Sequence, residues 1–227
     1  MAYLIFTTLL TPGEPQLIAQ QSNATPYPRR APIHQYLMSD RNSEIMLARS
    51  AAPESISRDA EVLVLGPKGY ETAIKGTNGF ECLVERSWGA GFDDPEFWNP
   101  KIRGPVCYNP PAVRSYLPIT IKKTELVLTG RSKAEMSSAI ETAFSKKELP
   151  PLESNAMCYM LSKEGYLSDR DGHWHPHLML FIPRTAPAVW GANLPGSPIF
   201  SAAAAHLTVL LIPVARWSDG TPAPHEP

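Results

Sequence analysis

Residues 61–86 read "EVLVLGPKGYETAIKGTNGFECLVER", and this stretch decides the fold class. Glu61 to Leu65 and Tyr70 to Lys75 are strand-forming runs separated by Gly66-Pro67-Lys68-Gly69, a composition that turns a chain back on itself in a hairpin. Gly76-Thr77-Asn78-Gly79 supplies a second turn, after which Phe80, Cys82 and Val84 alternate with Glu81 and Glu85. Alternation at a period of two gives one buried face and one wet face, so the whole segment predicts an antiparallel meander.

Downstream, Trp88 to Pro111, "WGAGFDDPEFWNPKIRGPVCYNPP", is loop-like, with aromatic side chains that must pack somewhere to stay ordered. Asn109 with Pro110 behind it predicts a short capped helix ending at Leu117 before Pro118, and Thr120 to Thr129 reads as helical up to Gly130. Ser132-Lys133-Ala134-Glu135 is a capping box opening the clearest helix, in which Met136, Ile140, Ala143 and Phe144 form one apolar stripe before Pro150-Pro151. Three apolar runs follow, Met157 to Leu161, His177 to Ile182 and Leu207 to Ile212, all of strand length. The last is apolar at nearly every position, as in a strand covered on both faces.

Upstream, Ser39 or Ser43 caps a helix over Glu44 to Ala52 that stops before Pro53, with a second short turn to Arg58. Residues 11–34 hold five prolines and no apolar period, which reads as an extended or disordered arm, with order beginning near Ser39. The expected organisation is an N-terminal segment over 1–38, a single domain over 39–221 and a tail over 222–227. The fold class is α+β: an antiparallel or mixed sheet of about six strands, with helices packed mainly on one face.

The residues that most resemble chemistry are Asp171 to Phe181, "DGHWHPHLMLF". In an extended chain His173, His175, His177, Met179 and Phe181 share one face, and Trp174, Pro176, Leu178, Leu180 and Ile182 share the other, which reads as core. Histidines two apart sit roughly 6.8 Å apart at their Cα atoms, so two rings can converge on one ion; His173 and His177, roughly 13 Å apart, do so only if the strand bends. Pro176 marks such a bend or simply an edge. One adjacent pair, completed by Asp169, Asp171 or the distant His206, makes a site for zinc or another transition metal. With an open coordination position such a site suits a zinc-dependent hydrolase, although no HExxH motif accompanies it. The competing expectation leaves His173 and His175 exposed at a turn, with His177 donating to a backbone carbonyl inside the fold.

Other constellations point to structure. Ser197 in "LPGSP" and Ser218 in "RWSDGT" have the surroundings of turn residues, and no GxSxG motif exists. Cys158 reads as a buried inert thiol, the alternative being a nucleophile paired with His177. Asp93, Asp94 and Glu96, set among Phe92, Phe97 and Trp98, form either a cation or ligand site or plain loop carboxylates. A loop that made an exposed apolar patch, and not a pocket wall, would favour a structural or interaction protein over a binder.

The 227 residues carry 21 basic and 22 acidic side chains, a net charge of −1 without the clustered basic surface that nucleic acid requires. No apolar run is long enough to span a bilayer. Tyr3 to Leu10, "YLIFTTLL", is of signal-peptide type, but no Lys or Arg precedes it, so it reads either as a truncated signal or as an ordinary strand. Of the three cysteines none forms a CxxC pair; export would permit a disulfide, and Cys82 and Cys107 lie in segments expected to be ordered.

Gly76 to Val84, His175 to Pro183 ("HPHLMLFIP") and Ile212 to Thr221 ("IPVARWSDGT") together resemble an uncharacterised group of exported bacterial proteins, over most of residues 44–221. The resemblance implies a periplasmic or secreted location, the alternative being cytoplasmic, and a Cys82–Cys107 bridge. It brings no catalytic motif.

Overall fold

The computed structural model describes residues 26–170, 172, 175–204 and 206–223. Its centre is one eight-stranded mixed sheet in the order β2-β1-β3-β4-β5-β6-β8-β7. The strands are β1 (Glu61–Gly66), β2 (Gly69–Ile74), β3 (Glu81–Glu85), β4 (Gly104–Tyr108), β5 (Met157–Met160), β6 (His177–Pro183), β7 (Phe200–Ala204) and β8 (Leu207–Pro213). The α+β class with a mixed sheet is as expected; the strand count is larger and the helices lie on both faces. Among the described residues no helix is long and apolar enough to cross a membrane.

The hairpin forms as its turn residues require, with Gly66 opposite Gly69. The meander does not. β3 pairs with β1 in parallel, Glu61 with Glu81 and Val62 with Cys82, on the side of β1 away from β2. To reach that side the chain crosses the start of β1 at Gly76, where a Cβ would lie 2.1 Å from the Glu61 nitrogen, an approach that only glycine permits. Alternation assigns side chains to faces; it says nothing about which strand lies alongside.

As an interior strand β3 is covered on both sides. Cys82 and Val84 pack under Leu47, Ala48, Ala51 and Ala52, on and just beyond helix α1 (Arg41–Arg49). Leu83 packs on the opposite face with Ala112, Leu117, Ile119, Ile140 and Ala143. Those residues belong to α3 (Pro110–Ser115), α4 (Leu117–Leu128) and α5 (Lys133–Ser145). The expected wet face of β3 is therefore interior, and Glu85 goes with it.

β4 falls within the stretch expected as loop, and its Pro105 is a residue that central strands avoid. It is buried at all five positions, and β5 pairs only with Cys107 and Tyr108, so Pro105 lies beyond the ladder that would ask it for a donor. β7, with three alanines, carries little strand propensity and forms at the sheet edge along β8. Pro118 does not end a helix: it occupies the first turn of α4, where a missing N–H is harmless.

Caps follow local chemistry closely. Asp40, and not Ser39 or Ser43, caps α1 by accepting from the Asn42 and Ser43 amides, and α2 (Glu54–Ser57) follows as one turn. Asn109 caps α3, and the Ser132–Glu135 box opens α5 with Met136, Ile140 and Ala143 buried. Order reaches upstream of Ser39: Tyr36 is fully buried against Trp88, and its hydroxyl donates to the Trp98 carbonyl at 2.9 Å. Pro222 and Ala223 likewise pair back, the Ala223 amide donating to the Ala215 carbonyl at 2.9 Å. Cys82 and Cys107 face each other across β3 and β4 and are joined by a disulfide, while Cys158 is a buried free thiol.

Candidate functional site

Register places Glu85 opposite Gly104, and Met160 opposite His177. The side chains of Glu85, Met160, His177 and Met179 point to the side of the sheet that α3 to α5 cover. Because Gly104 has no side chain, a hollow opens between Glu85 and Met160, and a cavity of about 330 Å³ occupies it. Its walls include Ile102, Tyr116, Leu167, Met179, Val209 and Leu211, with the segment from Ser87 to Gly91 and the edge-strand residues Ala202 to Ala204 closing it. Tyr116 is held in place by stacking on Phe181, ring centroids 3.7 Å apart. The volume lies within the range of small-molecule sites, which begins at about 300 Å³, and the lining is mainly apolar with a few polar groups.

Glu85 is the most unusual of those groups. Its Oε1 accepts from the Tyr108 hydroxyl at 2.5 Å and the Thr120 hydroxyl at 3.0 Å. Its Oε2 lies against Gly89, where a Cβ would come within 2.5 Å of it, so a side chain there would displace the carboxyl. Burial pushes the Glu85 carboxyl above its ordinary range, and the two hydroxyl bonds and the Lys123 charge only partly offset this. A carboxyl so placed is a proton donor and acceptor facing an apolar space.

Ser87, 3% exposed, also lines the cavity, and its hydroxyl is buried with no hydrogen-bond partner among the described residues. A buried hydroxyl left unpaired costs about 1–3 kcal/mol, and this one is closed off from the cavity space as well as from solvent.

His177, 2% exposed, has Nδ1 at 2.7 Å from the His175 carbonyl oxygen, which can only accept, so the proton sits on Nδ1. Burial holds the imidazole down to about 4, against a smaller opposing effect of that hydrogen bond, and it is neutral at ordinary pH. The expectation that His177 donates to a backbone carbonyl inside the fold therefore holds. The face with Leu178, Leu180 and Ile182, expected to be core, is only half-buried, whereas on the other His177 and Phe181 are buried and Met179 packs half-buried against the main core. Helices α3 to α5 cover the former side; α1 covers the other only over β1, β3 and β4.

The remaining sequence candidates separate. Asp171 and His173 lie outside the described residues, and among the described ones no three His, Cys, Asp or Glu side chains gather as metal ligands do. His206 sits at the opposite end of the β6–β8 pair from His177, roughly 20 Å away by strand rise, and its Nε2 meets Glu141 at 2.8 Å. Asp169 is engaged elsewhere: it accepts from Tyr27, Tyr166, Lys101 and Asn99 and is held well below the usual carboxylate range, chiefly by Lys101. Its amide donates to Glu96 at 2.9 Å, so Asp169 and Glu96 fasten the segment around Tyr27 to the turn after β5. Ser197 accepts the Ile199 amide, as a turn residue does, and Ser218 sits in a turn. Cys158 lies opposite Met179 and not His177, and burial pushes its thiol up, away from nucleophilic use. The loop from Trp88 supplies Gly89, Ala90, Gly91, Asp94 and Ile102 to the cavity wall, while Trp88, Phe97 and Trp98 are buried behind it.

Sequence reading missed Glu85, Ser87 and Gly104. The available signal was the polar triplet Glu85-Arg86-Ser87 directly behind an apolar strand, and a glycine beside a proline in what proved to be β4.

The chain matches no family model, no curated protein and no solved structure. The class its fold and site define is an α+β protein whose mixed sheet bears a partly open, mainly apolar cavity with a carboxyl in its wall.

Proposed function

We propose that the protein is an exported binder of a small, mainly apolar molecule, held in the cavity over β3 to β6. The observation that carries this reading is Glu85, held by two neutral hydroxyls in the wall of a mainly apolar cavity of about 330 Å³. Methionines 160 and 179 supply adaptable apolar walls, and the Glu85 carboxyl orients a polar end. The Cys82–Cys107 bridge supports an oxidising compartment. Binding and not turnover is favoured because the usual nucleophile arrangement is missing among the described residues: Ser87 has no base bonded to it, and Cys158 is deeply buried.

The test fills the cavity. A Cβ on Gly104 makes ordinary contacts of 3.4 Å with Leu167 and Met160, so Gly104→Leu projects into the hollow against two flexible side chains. The neutral fluorophore N-phenyl-1-naphthylamine is expected to brighten with the native protein and not with Gly104→Leu at a matched thermal midpoint. Equal brightening with both would place any binding elsewhere.

A further inference from the structure

We propose that the molecule held in this cavity is an amphipathic organic anion, its apolar body among Met160, Met179 and Leu211 and its carboxylate or phosphate head at Lys123. This deepens the binding reading above and rests on it. A second cavity of about 250 Å³, lined by Phe92, Asp93, Lys123 and Arg184, shares Gly91, Ala203 and Ala204 with the main one, so the two adjoin, and the proposed molecule spans them.

Lys123 enters from α4 and is only 7% exposed. Its ammonium donates to the Ala90 carbonyl at 2.8 Å and the Gly89 carbonyl at 3.4 Å, and it stands 5.0 Å from the Phe92 ring centroid. An ammonium has three donors, and these two carbonyls leave one. Among the described residues Lys123 forms no ion pair.

The other charged groups facing this space do not neutralise it. Glu85 is committed to Tyr108 and Thr120, and its burial disfavours the charged form. Asp93 and Arg184 stand exposed at the rim, where water weakens both and their opposite signs offset. A buried cation without an ion pair is costly, and burial draws this amine down to about 8, with the Glu85 carboxyl only partly opposing it. An anionic head supplies the missing charge and accepts the remaining donor, while the adjoining apolar cavity takes the rest of the molecule.

The probes are decanoate and 1-decanol, titrated calorimetrically into the full chain at neutral pH. Decanoate is expected to bind about tenfold more tightly than decanol, the scale of one charge-assisted hydrogen bond. Lys123→Met is expected to abolish that preference while keeping decanol binding. Asp93→Asn, at an exposed side chain, is expected to tighten decanoate alone by about twofold. Equal affinity of native protein for the two probes, or a preference that survives Lys123→Met, overturns the anion assignment and leaves the cavity reading standing. If neither probe binds, both fall. Should Lys123→Met fail to fold, an unchanged decanoate affinity in both Asp93→Asn and Arg184→Ala overturns the assignment.

Discussion

Glu44 and Glu85 are both carboxylates in the interior, and they are held in opposite ways. Glu44, on α1, meets Arg86 at 2.8 Å with side chains 2% and 0% exposed, and also accepts the Leu65 amide at 3.1 Å. Arg86 in turn donates to the Tyr36 and Val84 carbonyls, so charge and hydrogen bonds are spent within the knot. Glu85, one residue before Arg86, is held by neutral hydroxyls beside open volume. The contrast separates scaffold from site: a buried charge matched on every side fastens α1 and the segment around Tyr36 to the sheet. A buried carboxyl with apolar space in front of it is poised for a ligand.

The largest test of that contrast removes one partner of the knot. Glu44→Gln leaves Arg86 charged and dry, and is expected to cost about 3–5 kcal/mol in denaturant unfolding. A loss as small as that expected for Glu85→Gln would erase the distinction. Next in size is the disulfide on the α1 side, which closes a span of 25 residues; Cys82→Ala with Cys107→Ala is expected to cost about 3 kcal/mol by the same measurement, with fluorophore binding retained.

His177 tests the cavity side through pH. Its folded value, about 4, lies below the ordinary 6.5, so its contribution is present above 6.5 and is lost as pH falls toward 4. By pH 5 the native protein is expected to lose about 2 kcal/mol from this source. His177→Gln should flatten that part of the stability profile, and an unchanged slope would contradict a dry, neutral imidazole.

Glu85→Gln is expected to change stability least, by about 1 kcal/mol or less below pH 4.5, where the carboxyl is protonated and glutamine resembles it. The sign is distinctive. A carboxyl raised above its ordinary 4.5 contributes stability that is present below 4.5 and is lost as pH climbs through the folded value. The native protein should therefore weaken relative to Glu85→Gln as pH rises, the reverse of the His177 slope. Parallel pH profiles for the two proteins would show that Glu85 ionises freely.

Much of the local structure is legible from residues close in the chain. The Ser132–Glu135 box, the Asn109-Pro110 start and the Gly66–Gly69 turn each act within four residues, so their outcome depends little on the rest of the fold. The site was legible only in part. His177 stood out as one of three alternating histidines, but the face it shares with Met179 and Phe181 was taken for the odd one when it packs against the main core. Glu85 looked like the polar half of an amphipathic strand, the commonest meaning of such a pattern. Nothing near it announced that α4 would cover that side and bring Thr120 and Lys123 over it.

What the sequence by itself determined is the set of elements and the two-sidedness of each strand, because turn chemistry, capping and period are properties of a few consecutive residues. Only the tertiary structure decided the order of strands and which faces are dry. The parallel placement of β3 beside β1 hinges on the backbone crossing at Gly76, and the burial of Glu85 follows from helices on both sides of that interior strand. Burial is set by what arrives from distant parts of the chain, and that is why the cavity was visible only once the chain was folded.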